Sequence, residues 1–389
     1  MRVSQWSIAP VIDWLLHKGR RLPTREAVVG EVCERVRTAG LPIERVAFFL
    51  YALHPQYFGV ALFWDGDRVI RRPGSHDFLR TDEYRDSPAA RISAGERAIR
   101  RRLEVPEAQL DFPFLRELKA AGLTDYVIAE VVFSDGVRNS VSLATRRPGG
   151  FSDHDIAEIE KLLHPFALVM EIHSGRELAR TLLETYLGHI SGSRVLDGQI
   201  KRGDGQSIDA VIWFSDLRDS TPLSEALGEQ RFLELLNEYF VATAGAVLEH
   251  GGEVLRFIGD ASLAVFPTAG ESARAACERA VAAARAARQR AQAANSARRA
   301  AGQPAFAWGV GLHLGRVHYG NIGTPERLEF SVIGAAANKA ARIEALCKDT
   351  GQDVVLSSAV AAALGAPGAS LGRFALRGVE RPEEIFALP

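Results

Sequence analysis

The run Ala210-Val211-Ile212-Trp213-Phe214 passes without a break into Ser215-Asp216-Leu217-Arg218-Asp219-Ser220-Thr221. Consecutive apolar side chains fit a strand covered on both faces, so Asp216 stands at the end of a buried strand. Further along, the apolar run around Val254-Leu255-Arg256-Phe257-Ile258 ends in Gly259-Asp260-Ala261. Two such ends predict one shared site. Carboxylates converging from neighbouring strands repel each other where water is partly excluded. A divalent cation removes that repulsion, and magnesium, which prefers hard oxygen ligands, takes one or two protein carboxylates and leaves its other positions for water and substrate phosphates. Taken singly, either aspartate could serve only to cap a helix.

The length of 389 residues exceeds one ordinary core and predicts two domains. With 47% hydrophobic residues, 24% charged residues and a formal net charge of -1, the composition is that of a globular protein. It offers no global charge for binding nucleic acid or an anionic membrane, so an anion site has to be local. Cys33, Cys277 and Cys347 are far apart and form no C-x-x-C pair, which argues against a disulfide framework or a cysteine zinc site and predicts a reducing compartment. No apolar run approaches the roughly 18 residues of a membrane span, and the N-terminus lacks the succession of a signal peptide. The expected location is the cytoplasm.

Val28, Val29, Val32 and Val36 recur at helical spacing before Gly40 and Pro42. Strands are expected at residues 46–51, 58–64 and 68–70, and a hairpin at 126–133 and 137–145 turns at Ser134-Asp135-Gly136. Ser152 and Asp155 have the spacing of a capping box and open a helix bearing Ile156, Ile159, Leu162 and Leu163. A second helical segment is expected over 176–187, followed by glycine-rich stretches that mark a boundary. Strands then alternate with helices at 223–250 and 273–301, an alternating α/β pattern. The arginines of the alanine-rich second helix read as a solvated face.

The order helix, antiparallel strands, helix in residues 1–172 resembles the GAF and PAS type of sensory domain. That resemblance implies an unnamed small-molecule or protein signal, relayed through a helical transducer at 173–205. His54, His76 and His164 stand singly and read as surface or packed residues, not as metal or haem ligands.

Phe214-Ser215-Asp216-Leu217, Phe257-Ile258-Gly259-Asp260-Ala261, Gly311-Leu312-His313-Leu314-Gly315, Phe330-Ser331-Val332-Ile333-Gly334 and Asn338-Lys339-Ala340-Ala341-Arg342 follow one another with compatible spacing. Together they resemble the catalytic domain of the class III nucleotidyl cyclases, over residues 206–389. The resemblance implies an α+β fold of ferredoxin-like, palm type, and a homodimer whose two sites are shared between subunits. It implies that Asp216, Asp260 and the carbonyl of Leu217 hold two ions, Mg2+ or Mn2+. On a helix Asn338 and Arg342 share a face, and the resemblance makes them the groups that orient the ribose and stabilise charge on the α-phosphate. Thr221 and the backbone amides of 218–221 would receive terminal phosphates at a helix start, and Arg377 would add a basic contact. Arg256 and Ser331 occupy the base-reading positions. Adenine-specific members carry lysine at the first and guanylyl members glutamate; arginine has only donors, so ATP is expected over GTP.

The expected activity is conversion of ATP to 3',5'-cyclic AMP and pyrophosphate. Three alternatives stay open. Gly251-Gly252-Glu253-Val254-Leu255 is superficially similar to the diguanylate cyclase signature but fails at its last two residues. A nucleotide sensor that keeps the fold without turnover is the second. A P-loop transferase is the third, and no G-x-x-x-x-G-K-[ST] string supports it.

Overall fold

A computed structural model describes residues 6–365 and 368–388. The chain divides into two compact units, Met1–Leu182 and Leu183–Pro389.

In the first unit α1 (Ala9–His17) and α2 (Arg25–Ala39) precede β1 (Arg45–Tyr51), β2 (Tyr57–Trp64) and β3 (Val69–Ser75). Then come α3 (Asp82–Arg85), α4 (Pro88–Ser93), β4 (Ala98–Arg102), α5 (Pro113–Ala120), β5 (Asp125–Val132), β6 (Arg138–Thr145) and α6 (Asp153–Leu187). Thr24 caps α2 by accepting from the Ala27 amide, and Gly40 ends it at a φ of 122°, which a side chain would resist. The strands form one antiparallel sheet in the order β3-β2-β1-β6-β5-β4. Strand alternation gives it two cores. Val46, Phe48, Leu50, Val141 and Leu143 pack with Val32, Val36, Phe166 and Met170 of α2 and α6 on one face. Tyr126, Ile128 and Ala144 pack with Ile92, Leu115 and Leu118 of α4 and α5 on the other.

The capping box at the start of α6 is reciprocal: the Ser152 amide donates to the Asp155 carboxylate at 2.7 Å and the Asp155 amide to the Ser152 hydroxyl at 3.2 Å. The two helical segments expected from 152 to 187 are one helix of 35 residues, which carries Pro165 and Gly175 without breaking.

The second unit opens with α7 (His189–Leu196) and β7 (Gly205–Leu217), then α8 (Ser220–Leu227), α9 (Glu229–Glu249), β8 (Glu253–Ile258), β9 (Ala261–Pro267) and α10 (Ala273–Ala300). β10 (Trp308–Gly323), β11 (Leu328–Ile333), α11 (Ala335–Thr350), β12 (Val354–Ser357), α12 (Ser358–Leu364), β13 (Ser370–Phe374) and β14 (Glu383–Ala387) complete it. The single helix expected at 223–250 is two, because Gly228 adopts a φ of 73° between α8 and α9. The sheet runs β13-β14-β12-β10-β7-β9-β8, with β11 on β10. Only the β10–β12 pairing is parallel, so the alternating strands and helices build a mixed, largely antiparallel sheet.

β7 explains the double apolar cover. Val211 and Trp213 face α9 and α10 with Tyr239, Ala280 and Ala284, whereas Ala210 and Ile212 face α11 with Ala336 and Ala340. Period-2 alternation sends Asp216 to the α11 side. The arginines of α10 do more than meet solvent: Arg288 pairs with Asp353 at 2.5 Å and Arg298 with Glu238 at 3.1 Å, tying the helix to its neighbours. Ser191 of α7 is fully buried, and its amide and hydroxyl both donate to Glu253 at 2.7 Å, while the Tyr319 hydroxyl donates to the same carboxylate. Glu253, the acidic residue of the Gly251-Gly252-Glu253 string, is thus held inside the fold.

The Gly311-Leu312-His313-Leu314-Gly315 string has a packing cause. A Cβ on Gly311 would lie 2.5 Å from the Glu344 nitrogen and 2.6 Å from the Ala340 oxygen, so α11 rests on β10 only because Gly311 lacks one. His313 is buried, bonds the Ser357 hydroxyl at 2.9 Å, and is pushed down by burial to about 4, which keeps it neutral. Gly311→Ala should cost about 1–3 kcal/mol of stability through backbone overpacking. Thermal unfolding checks this; an unchanged melting temperature would contradict the close approach.

Candidate active site

Register places the two aspartates together. Asp216 lies opposite Ala261 in the β7–β9 ladder, and Asp260 occupies the turn from β8 into β9 immediately before Ala261. The Asp216 carboxyl is raised above its ordinary value, first by burial and next by the charge of Asp260, against the opposing pull of Arg218. A carboxylate pair that raises the cost of its own ionisation is a ready ligand set for a hard cation. The donor chemistry therefore fits magnesium or manganese, with Asp216 and Asp260 as the residues to hold it.

Beneath the pair lies a residue that sequence reasoning missed. Glu344 of α11 is buried, and Arg218 donates to its carboxylate at 2.5 Å and to its backbone oxygen at 3.1 Å. Burial pushes Glu344 up to about 7; Arg218 opposes that shift, while Asp216 and Asp260 add to it. Gly309 makes room, since a Cβ there would meet Arg218 Nη2 at 2.3 Å and Glu344 Oε1 at 2.4 Å. The sequence signal was the pair of glycines, Gly309 and Gly311, two apart on a buried strand.

The phosphate expectation needs one correction. The Arg218 amide donates to the Ala307 oxygen at 2.9 Å, extending the β7–β10 ladder, so it is not free to bind an anion. Asp219 takes a left-handed φ of 53° and starts α8, on which Thr221 is exposed. Leu217 pairs with Trp308 at the end of β7.

Arg256 of β8 and Ser331 of β11 lie on elements joined by an ion pair, Arg256 to Glu329 at 2.9 Å. Glu329 is a second residue missed in the sequence, where nothing marks which acid meets Arg256. Ser331 is 2% exposed and its hydroxyl has no hydrogen-bond partner among the described residues. A buried orphan hydroxyl is costly unless something else satisfies it.

Asn338 is exposed and Arg342 half-buried on α11, with Arg342 next to the Gly378 turn. The helix is anchored from below by Lys339, which pairs with Glu383 of β14 at 2.7 Å. Neither Asn338 nor Arg342 has a side-chain hydrogen bond or ion pair among the described residues, so the fold does not join them to the aspartates of their own chain. Arg377 is exposed in the same turn as Gly378. Among the described residues no group of three or more histidine, cysteine or acidic side chains gathers as a metal cluster, and no helix is long and apolar enough to cross a membrane.

Residues 204–387 match the family model described as the adenylate and guanylate cyclase catalytic domain. The chain is 30% identical over 186 residues to an adenylate cyclase of Anabaena cylindrica, covering 48% of this chain and 36% of that protein. It is 29% identical over 241 residues to adenylate cyclase 1 of Rhizobium meliloti (strain 1021), covering 61% of this chain and 36% of that one. Among solved structures it is similar to the guanylyl cyclase Cya2, with 31% identity, a TM-score of 0.43 and coverage of 47% of this chain and 93% of the other. The chain thus spans about a third of the length of those two curated relatives. The C-terminal unit, with its paired aspartates at the ends of two sheet strands, belongs to the adenylate and guanylate cyclase catalytic-domain family.

Proposed function

We propose that the chain is an adenylate cyclase converting ATP to 3',5'-cyclic AMP and pyrophosphate at sites shared by two copies. In this reading residues 1–172 act as a GAF/PAS-like sensory domain, 173–205 as a transducer and 206–389 as the catalytic domain. The observation that carries the reading is the convergence of Asp216 and Asp260, with Asp216 raised first by burial and next by the charge of its neighbour.

Asp216, Asp260 and the Leu217 carbonyl would hold the divalent cations. When bound, these ions, Mg2+ or Mn2+, supply a lowered pKa at the ribose 3'-hydroxyl and charge neutralisation at the triphosphate. Glu344 engages the Arg218 guanidinium beside the aspartates, so that Arg218 offsets only part of the cost of the Asp216 charge. Arg342, whose planar fork suits an oxyanion, stabilises charge at the α-phosphate, and Asn338 one turn earlier orients the ribose. Thr221 and the amides of 219–221 receive terminal phosphates, with Arg377 as a further contact.

At the base, the orphan hydroxyl of Ser331 finds its partner in the purine edge, and Arg256 donates to a ring nitrogen. The Arg256–Glu329 pair favours a second reading, because Glu329 brings an acceptor that guanine could use. The names of the relatives include both adenylate and guanylyl cyclases. Six-stranded antiparallel topology with helices on both faces supports the sensory-domain reading of the first unit.

Purified protein given ATP or GTP with each metal should yield cyclic AMP, identified by mass. Cyclic GMP as the chief product would overturn the adenine reading and assign the base to Glu329. Asp216→Ala and Arg342→Ala should each be nearly inactive, yet mixing them should rebuild one intact site in each mixed dimer and restore roughly a quarter of wild-type activity. Mixtures that stay dead although subunit exchange is shown would contradict the shared site.

A metal readout independent of turnover follows from the carboxylate pair. At a cation concentration of about 100 times its Kd, wild-type stability should rise by about 2.7 kcal/mol. Asp216→Asn should lose that shift; an equal shift in wild type and variant would remove Asp216 from the metal site.

A further inference from the structure

The first unit gathers positive charge that its own acids do not balance. Arg20 and Arg21 lie in the 3-10 turn Gly19–Arg21 between α1 and α2, and with Ile172 and Arg176 of α6 they line an open cleft of about 400 Å³. The turn is fixed at both ends. Gly19 is buried against Trp14, where an added Cβ would come within 3.0 Å of the indole, and Thr24 caps α2 just beyond. Ordered backbone therefore presents these arginines.

Arg20, Arg21 and Arg176 have no ion pair or side-chain hydrogen bond among the described residues. The nearest acids along the chain are engaged elsewhere. Asp13 sits beside His17 at 3.2 Å, and Glu26 lies 3.7 Å from Arg71. Glu171 accepts from the amide and hydroxyl of Ser134, and Glu177 pairs with both Arg25 and Arg71. Water can solvate the exposed guanidinium groups, but it does not reach the groups buried behind them. Among the described residues Nε2 of His173, 5% exposed, and Nε of Arg25, 3% exposed, have no hydrogen-bond partner. Burial lowers the His173 ring, and the Arg176 and Arg25 charges lower it further against the pull of the Arg20 backbone, which sets the ring among these arginines. Unmet polar atoms buried beside a cationic cleft point to a ligand that brings acceptors and negative charge.

Charge and shape select its class. A guanidinium fork takes carboxylate or phosphate oxygens in pairs. A carboxylate brings one charge and enough oxygens for one fork, whereas a phosphate monoester brings about two charges and three acceptor oxygens for the three arginines. Bare phosphate underfills the cleft, and Ile172, 44% exposed, offers an apolar wall to an organic body.

We propose that this cleft binds a small organic phosphate monoester, with Arg20, Arg21 and Arg176 around the phosphoryl group and Ile172 against the organic part. The site lies wholly within the first unit, and its occupancy does not depend on turnover of ATP by the second.

The test titrates full-length protein with phenyl phosphate by calorimetry at constant ionic strength, beside inorganic phosphate and benzoate. Phenyl phosphate should saturate one site and bind more tightly than either. Arg20→Gln and Arg176→Gln, at exposed side chains that hold no partner, should leave thermal unfolding unchanged and each weaken binding by about tenfold. Ile172→Ser should weaken phenyl phosphate and leave inorganic phosphate unchanged. Arg342→Ala should change neither. Binding lost in Arg342→Ala but kept in Arg176→Gln would place the ligand in the catalytic domain and overturn the proposal. Benzoate bound as tightly as phenyl phosphate would overturn the phosphate class, and an Ile172→Ser variant that binds phenyl phosphate normally would overturn the organic part. Binding to phosphatidic acid vesicles without binding to phenyl phosphate would assign the arginines to a lipid surface, and no binding tighter than about 1 mM would leave no site; each overturns the proposal.

Discussion

The arrangement of the catalytic domain turns on the mutual repulsion of Asp216 and Asp260. Burial and the Asp260 charge together raise the Asp216 carboxyl, so the folded domain holds an electrostatic cost at one edge of its sheet. Strand pairing enforces that cost, because Asp216 is in register with Ala261 and cannot retreat from the turn that carries Asp260. A hard cation held there would convert the cost into binding energy. The site is a consequence of sheet register before it is a consequence of any loop.

Close packing below the aspartates keeps the pair poised. Gly309 and Gly311 let α11 sit against β10, and this contact buries Glu344 where it engages Arg218. Arg218, which pulls against the raised Asp216 carboxyl, is thereby shared with Glu344. The same helix places Asn338 and Arg342 on its more open side and is fixed by Lys339 on Glu383. A single packing decision, two glycines on one strand, sets the height of the helix and the electrostatics of the pair.

Much of this was legible in the sequence, for physical reasons. The apolar run into Asp216 announces a buried strand end without any knowledge of its partners, whereas the run into Asp260 does not, since Arg256, Phe257 and Ile258 of the edge strand β8 are exposed. Asn338 with Arg342 shows a shared helix face by spacing alone. Glu344 was missed, since its burial on α11 depends on Gly309 and Gly311 of β10, and only that glycine pair hinted at it in the sequence. So was Glu329, whose partnership with Arg256 depends on the β10–β11 register. Gly228 divided a helix that apolar spacing had joined, and Gly175 failed to divide one, because a glycine breaks a helix only where the chain takes a positive φ. β4 was missed because Ala98-Ile99-Arg100-Arg101-Arg102 buries only Ile99 and shows no alternation.

Asp216 and Asp260 share one electrostatic environment, and a divalent cation bound between them would relieve it. Titrating the Asp216 side-chain carboxyl by carbon NMR in the wild type, in Asp260→Asn, and in the wild type with magnesium measures it directly. The account predicts a midpoint above that of an ordinary aspartate in the metal-free wild type, lowered when the Asp260 charge is removed and lowered again when magnesium is added. An ordinary midpoint that neither change moves would contradict it.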